Sequence, residues 1–160
     1  MKSKSISIFF CLALICGVII VTNSFAGDAK PIYPAGIKPI APYSPAIMYG
    51  DLLFISGQIP YVKGAIPENA KTDIKEQTKI VMENLKTVLS EAGMSFKNVL
   101  KATVFITDMK NYGAFNKVYG PYWTDNGLTP PARAAVEVGA LPGSKPGAPV
   151  LVEVSMIAGK

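Results

Sequence analysis

The chain has 160 residues, 49% of them apolar, with a formal charge of +5; that is ample for one core and short for two comfortable domains. It contains no histidine, which excludes Ser-His-Asp and Cys-His catalysis and removes the commonest metal ligand. Its lysines are dispersed without interleaved aromatics, so no basic stripe points to a nucleic-acid partner.

The first 26 residues read as a secretory signal. Lys2 and Lys4 make a basic start, 6–21 form an apolar run, and Ser24-Phe25-Ala26 supplies the small residues a signal peptidase needs, with cleavage after Ala26. The alternatives are an uncleaved anchor, since the run is nearly long enough to cross a bilayer, and a lipoprotein acylated at Cys16, which Ile15 disfavours. Both cysteines, Cys11 and Cys16, lie inside this segment, so the processed chain has no thiol, and loss of Lys2 and Lys4 lowers the charge from +5 to +3. The expectation is an exported, periplasmic protein with no membrane segment in its mature form and one domain over 27–160.

Pro31, Pro34, Pro39, Pro42 and Pro45 predict an extended lead-in over 27–45 with neither helix nor central strand. Strands over 46–49 and 52–59 flank Gly50-Asp51 as a hairpin. On the second, Leu52, Phe54, Ser56 and Gln58 share one face, with Leu53, Ile55, Gly57 and Ile59 on the other. Thr72 or Asp73 caps a helix in which Ile74, Val81, Leu85, Val88 and Ala92 recur at helical spacing, and Gly93 ends it. A β-branched apolar strand covers 99–106. A second helix over 111–123 carries an aromatic stripe of Tyr112, Phe115, Tyr119 and Tyr122, interrupted by Gly113, Gly120 and Pro121. Two more strands, 132–138 and 150–157, are separated by a Pro/Gly-rich loop over 141–149.

This order implies an α+β fold, one mixed sheet with both helices packed on one face. The strands are apolar on both sides, so the face without helices should be buried in an oligomer.

Chemistry centres on Arg133, the single arginine among fifteen lysines. A lysine would give the same charge, whereas only arginine offers a planar fork that matches a carboxylate with two parallel hydrogen bonds. Alternation places Arg133, Ala135 and Glu137 on one face of their strand, and Leu151, Glu153, Ser155 and Ile157 together on theirs. Glu153 interrupts an apolar strand, where an unpaired carboxylate is costly to bury. A structural ion pair of Arg133 with Glu153 or Glu137 explains these residues as well as a site does. Gly57, in Ser56-Gly57-Gln58, marks either a bulge or close approach of another group. Tyr43 lines a pocket or covers the core, and Asn116 bonds locally or touches a ligand. No glycine-rich phosphate loop, Cys-x-x-Cys or metal motif is present.

The segments Ala41-Pro42-Tyr43-Ser44-Pro45-Ala46, Ser56-Gly57-Gln58-Ile59-Pro60, Asn84-Leu85, Ala92-Gly93 and Ala102-Thr103-Val104-Phe105-Ile106 occur in order, followed by Phe115-Asn116 with Tyr119, Pro131-Ala132-Arg133, Leu141-Pro142 and Val152-Glu153-Val154. Together they resemble the Rid family, the reactive-intermediate imine deaminases of YjgF type, in a RidA-like form that carries a signal peptide. The resemblance implies a chorismate-mutase-like fold, a homotrimer with sites between subunits, and no metal or organic cofactor. It implies hydrolysis of 2-imino acids and their enamine tautomers, such as 2-aminoacrylate, to 2-keto acids and ammonia. By position it puts the carboxylate-binding role on Arg133, the water-holding role on Glu153, and pocket contacts on Tyr43, Ser56, Asn116 and, through its backbone, Ala135. The chain departs from the family at Ala135 and Pro45, at Ser155, and in the longer loop over 143–149. A non-catalytic small-carboxylate binder and a chaperone-like trimer are the alternatives.

Overall fold

The computed structural model describes residues 28–160; the expected signal segment over 1–26 lies outside the described residues. Six strands, β1 (Lys30–Ile32), β2 (Ala46–Tyr49), β3 (Leu52–Gln58), β4 (Val99–Ile106), β5 (Ala132–Glu137) and β6 (Val152–Gly159), form one mixed sheet in the order β1-β2-β3-β6-β4-β5. All neighbours are antiparallel except β4 and β5.

The long helix α1 (Ile74–Glu91) joins β3 to β4, and α2 (Tyr112–Tyr119) with the short α3 (Pro121–Thr124) joins β4 to β5. Asp73 caps α1 by accepting from the Lys75 and Glu76 N–H groups, as its residue type allows. Gly93, at φ 68°, lets the chain turn out of it. The helices share one face of the sheet, burying Val81, Leu85, Val88 and Phe115 against Val152, Val154 and Met156. On the other face, Leu52, Phe54 and Leu100 remain 38%, 42% and 55% exposed. No helix among the described residues is long and apolar enough to cross a membrane.

Three expectations are corrected, while the lead-in is extended as expected and includes β1, an edge strand paired only with β2 that tolerates Pro31. The second helix breaks after Gly120, since Pro121 has no N–H to continue the ladder. The last strand begins at Val152 and not at 150, because the Val150 N–H donates to the Ser144 hydroxyl (3.1 Å) and the Leu151 N–H to the Gln77 carbonyl (2.8 Å). Finally, strict alternation along β3 fails after Ile55. Ser56 and Gly57 together stand opposite Ser155, a bulge that puts Gln58, 5% exposed, on the buried side.

The loop over 141–149 is tied down by buried polar groups. The Gln77 amide, fully buried, donates to the carbonyls of Ala70 (3.0 Å), Lys71 (3.3 Å) and Pro149 (2.9 Å) while its oxygen takes the Leu151 N–H. The Tyr61 hydroxyl donates to the Gly143 carbonyl at 2.6 Å. Pro142 is thereby placed at the rim of a cleft on the face without helices.

Candidate active site

Register decides where the candidate residues point. Val104 pairs with Ala135 on one side and Val154 on the other, so Arg133 and Ala135 lie on the helix face with Val154, and Glu153 lies on the opposite face. The six residues singled out from the sequence therefore divide into two groups. Tyr43, Ser56 and Glu153 meet in one cleft, whereas Arg133, Asn116 and Ala135 belong to the helix side. An ion pair between Arg133 and Glu153 within one chain is excluded by this geometry. Glu137 does not pair with Arg133 either; its carboxylate accepts the Met109 N–H at 2.7 Å.

The arginine is held by an aromatic box. Tyr112, Phe115 and Tyr119 recur along α2 at helical spacing, and the Arg133 Cζ lies 5.5, 5.7 and 4.7 Å from their ring centroids. Its Nη2 donates to the Tyr112 hydroxyl at 2.7 Å. Among the described residues it has no carboxylate partner. One of its five donors is therefore engaged and the rest of the fork is left for an anion. Tyr119 is 3% exposed; burial pushes its hydroxyl up to about 12, with the Arg133 charge opposing the rise. That hydroxyl has no partner within hydrogen-bonding geometry, and the Arg133 guanidinium lies over its ring. Asn116 stands one turn from Tyr112 on the same helix face.

The carboxylate half is shaped by Gly57. A Cβ there would sit 2.9 Å from the Glu153 Cγ and overlap its carboxylate, so glycine at the bulge is what lets Glu153 fold across β3. Burial holds the Glu153 carboxyl above the usual carboxylate range. Its cleft, about 470 Å³, is walled by Ile40, Tyr43, Ser56, Ile59 and Pro142. The Ser56 hydroxyl donates to the Ser44 carbonyl at 2.7 Å and so tethers the Tyr43 loop over the cleft.

This pair of half-sites sits on a known framework. A family profile described as Endoribonuclease L-PSP matches residues 34–160. The chain belongs to this family. Among its relatives, a RutC family protein of Pyrococcus abyssi is 46% identical over 123 residues, covering 77% of this chain and 90% of that protein. A Yersinia pestis member of the conserved Rid protein family, YyfA, superposes with a TM-score of 0.73 at 38% identity, covering 82% of this chain and 99% of that one. E. coli TdcF, solved with bound serine, also gives 0.73, at 33% identity and with 82% and 98% coverage. The α+β fold expected from the element order is the fold of these Rid structures.

Sequence reasoning did not foresee the aromatic box. The stripe of Tyr112, Phe115 and Tyr119 was visible as helical spacing, but nothing local tied it to an arginine in a later strand. Pro142 lines the cleft, and the sequence marks it only as part of the Pro/Gly-rich loop over 141–149.

Proposed function

We propose that the protein hydrolyses 2-imino acids and their enamine tautomers to 2-keto acids and ammonia, in a site completed between two copies of the chain. The observation that carries this reading is the division of the site. A carboxylate clamp without a carboxylate and a half-buried acid in a cleft lie on opposite faces of one sheet, so only a neighbouring chain can bring them together. The exposed Leu52, Phe54 and Leu100 supply an apolar surface for that contact, in keeping with a homotrimer.

In this site the Arg133 fork grips the substrate carboxylate and sets C2 of the iminium toward a water held by Glu153 and a backbone carbonyl at Ala135. As the water oxygen bonds to C2, Glu153 takes one of its protons and passes it to the nitrogen; as the C–N bond breaks and ammonia leaves, the remaining hydroxyl proton returns to the Glu153 carboxylate, which leaves the keto group, and from there it passes to the departing ammonia. A carboxyl held above its ordinary range suits both halves of that transfer. A protonated imine is already electrophilic, so positioning carries most of the work and no histidine is required. The serine in E. coli TdcF supports the reading, because it is a small amino acid held by a protein of this fold.

We also propose that the protein is exported, on the strength of Lys2, Lys4, the apolar run and Ser24-Phe25-Ala26. The mass of the protein recovered outside the cytoplasm tests cleavage after Ala26. The enzymatic reading is tested by generating imines with an amino-acid oxidase and following their loss with wild type and Arg133→Ala. Accelerated loss that Arg133→Ala abolishes is expected, and no acceleration with any small imine would overturn it. RNA incubated in parallel checks the activity that the family description names; cleavage of RNA without imine turnover would replace this reading.

A further inference from the structure

The cleft at Glu153 adjoins a second cavity. Ile40, Tyr43, Gly57 and Ile59 line both, so the Tyr43 loop forms a shared wall at the end of β3. The second cavity, about 410 Å³, runs beneath the lead-in toward α1. Ile37, Pro39, Ile40 and Ile59 make its sides apolar, and Lys38 and Lys63 stand in its lining with no acidic residue beside them. Asn84 does not close it, because its amide is engaged by the Ile59 and Tyr61 carbonyls, each at 3.1 Å.

Lys63 stands at an unusual place in the backbone. It is the one non-glycine residue with positive φ among the described residues, at 51°, followed by Gly64 at 87°. The two form a tight turn between Val62 and Ala65, whose backbones bond reciprocally at 2.8 and 3.3 Å. Both central positions of such a turn favour glycine, asparagine or aspartate, and a lysine is strained there. The turn does not explain a lysine, and Lys63 belongs to the lining of the cavity.

We propose that this second cavity receives the substrate side chain and that Lys38 and Lys63 select side chains ending in a carboxylate, which makes the preferred substrates dicarboxylic 2-imino acids. The assignment rests on the imine-deaminase reading of the adjoining cleft. Arg133 of a neighbouring copy grips one end, the apolar walls cover the methylene groups, and the lysines meet the second carboxylate. A neutral side chain keeps only the apolar contact, and a cationic one is repelled.

The test compares imines made by flavin amino-acid oxidases from D-glutamate and D-norvaline, with semicarbazide trapping what the protein leaves. Calorimetry with 2-oxoglutarate and 2-oxopentanoate supplies a readout independent of turnover. Wild type is expected to favour the dicarboxylic member of each pair, and Lys63→Gly to reduce that preference ~fivefold, the scale of one partly exposed charge pair. Because glycine relieves the left-handed backbone, Lys63→Gly should keep the wild-type Tm or exceed it, so loss of preference cannot be blamed on unfolding. Lys38→Gln should act in the same direction. Turnover of both imines with equal preference, unmoved by either substitution, would overturn the side-chain assignment and leave the deaminase reading standing. If neither imine is consumed and neither keto acid binds, both fall.

Discussion

Arg133→Lys separates a charge from a clamp. The guanidinium is boxed by three rings at 4.7 to 5.7 Å and gives one donor to Tyr112, leaving a planar edge for a carboxylate. A lysine ammonium keeps the charge but replaces two parallel hydrogen bonds by one, and a hydrogen bond to a charged group contributes ~1.5–3 kcal/mol. Since 1.4 kcal/mol is tenfold, kcat/KM for a small 2-imino acid should fall about 10- to 150-fold. Loss of the stacked guanidinium removes about 0.5–2 kcal/mol more from the fold, a shift of a few degrees in Tm. The assay is oxidase-generated imine loss at several substrate concentrations, with thermal unfolding as the control. Activity of Arg133→Lys within about twofold of wild type would refute a bidentate clamp, whatever its Tm.

Three other substitutions probe the surrounding structure. Burial raises the Glu153 carboxyl above its unfolded value, so its effect favours the folded state at low pH and is lost as pH rises through the folded pKa. Glu153→Gln should therefore be more stable than wild type near pH 7, with the gap closing below the usual carboxylate range; a constant gap in Tm across that window would contradict the burial effect. In the wild-type pH–rate profile, the rising limb should lie above the ordinary glutamate value. Gly57→Ala should displace the Glu153 carboxylate and abolish turnover, and in a Glu153→Ala background the same change should be nearly neutral to stability, which a double-mutant cycle of unfolding measures. Gln77→Leu strands three carbonyls and the Leu151 N–H, so it should destabilise by ~2–4 kcal/mol in a denaturant titration; a change below ~1 kcal/mol would mean those groups find other partners.

Period and residue type made much of this molecule legible. The Asp73 cap, the Gly93 stop and the alternating buried residues of β6 follow from local rules, and the residue type alone singles out Arg133 as a planar fork among lysines. What local rules could not supply was parity between strands. The bulge at Ser56-Gly57 moves Gln58 to the other face, and the parallel pairing of β5 with β4 sends Arg133 toward α2 and away from Glu153. Each depends on contacts distant in sequence, as does the side-chain satisfaction of the Val150 and Leu151 N–H groups that delays the start of β6. β1 was hidden because proline rules describe central strands, and this one lies at the edge.

The division of the site between two faces is tested most directly by complementation. Arg133→Ala and Glu153→Ala proteins, each inactive as a pure oligomer, would be unfolded together, refolded as mixed assemblies and assayed for imine hydrolysis. If the two halves come from different copies, random mixing restores about a quarter of wild-type activity, because each half-site is intact in half of the chains. Mixed oligomers that form but hydrolyse no more than the separate variants would contradict a site shared between chains.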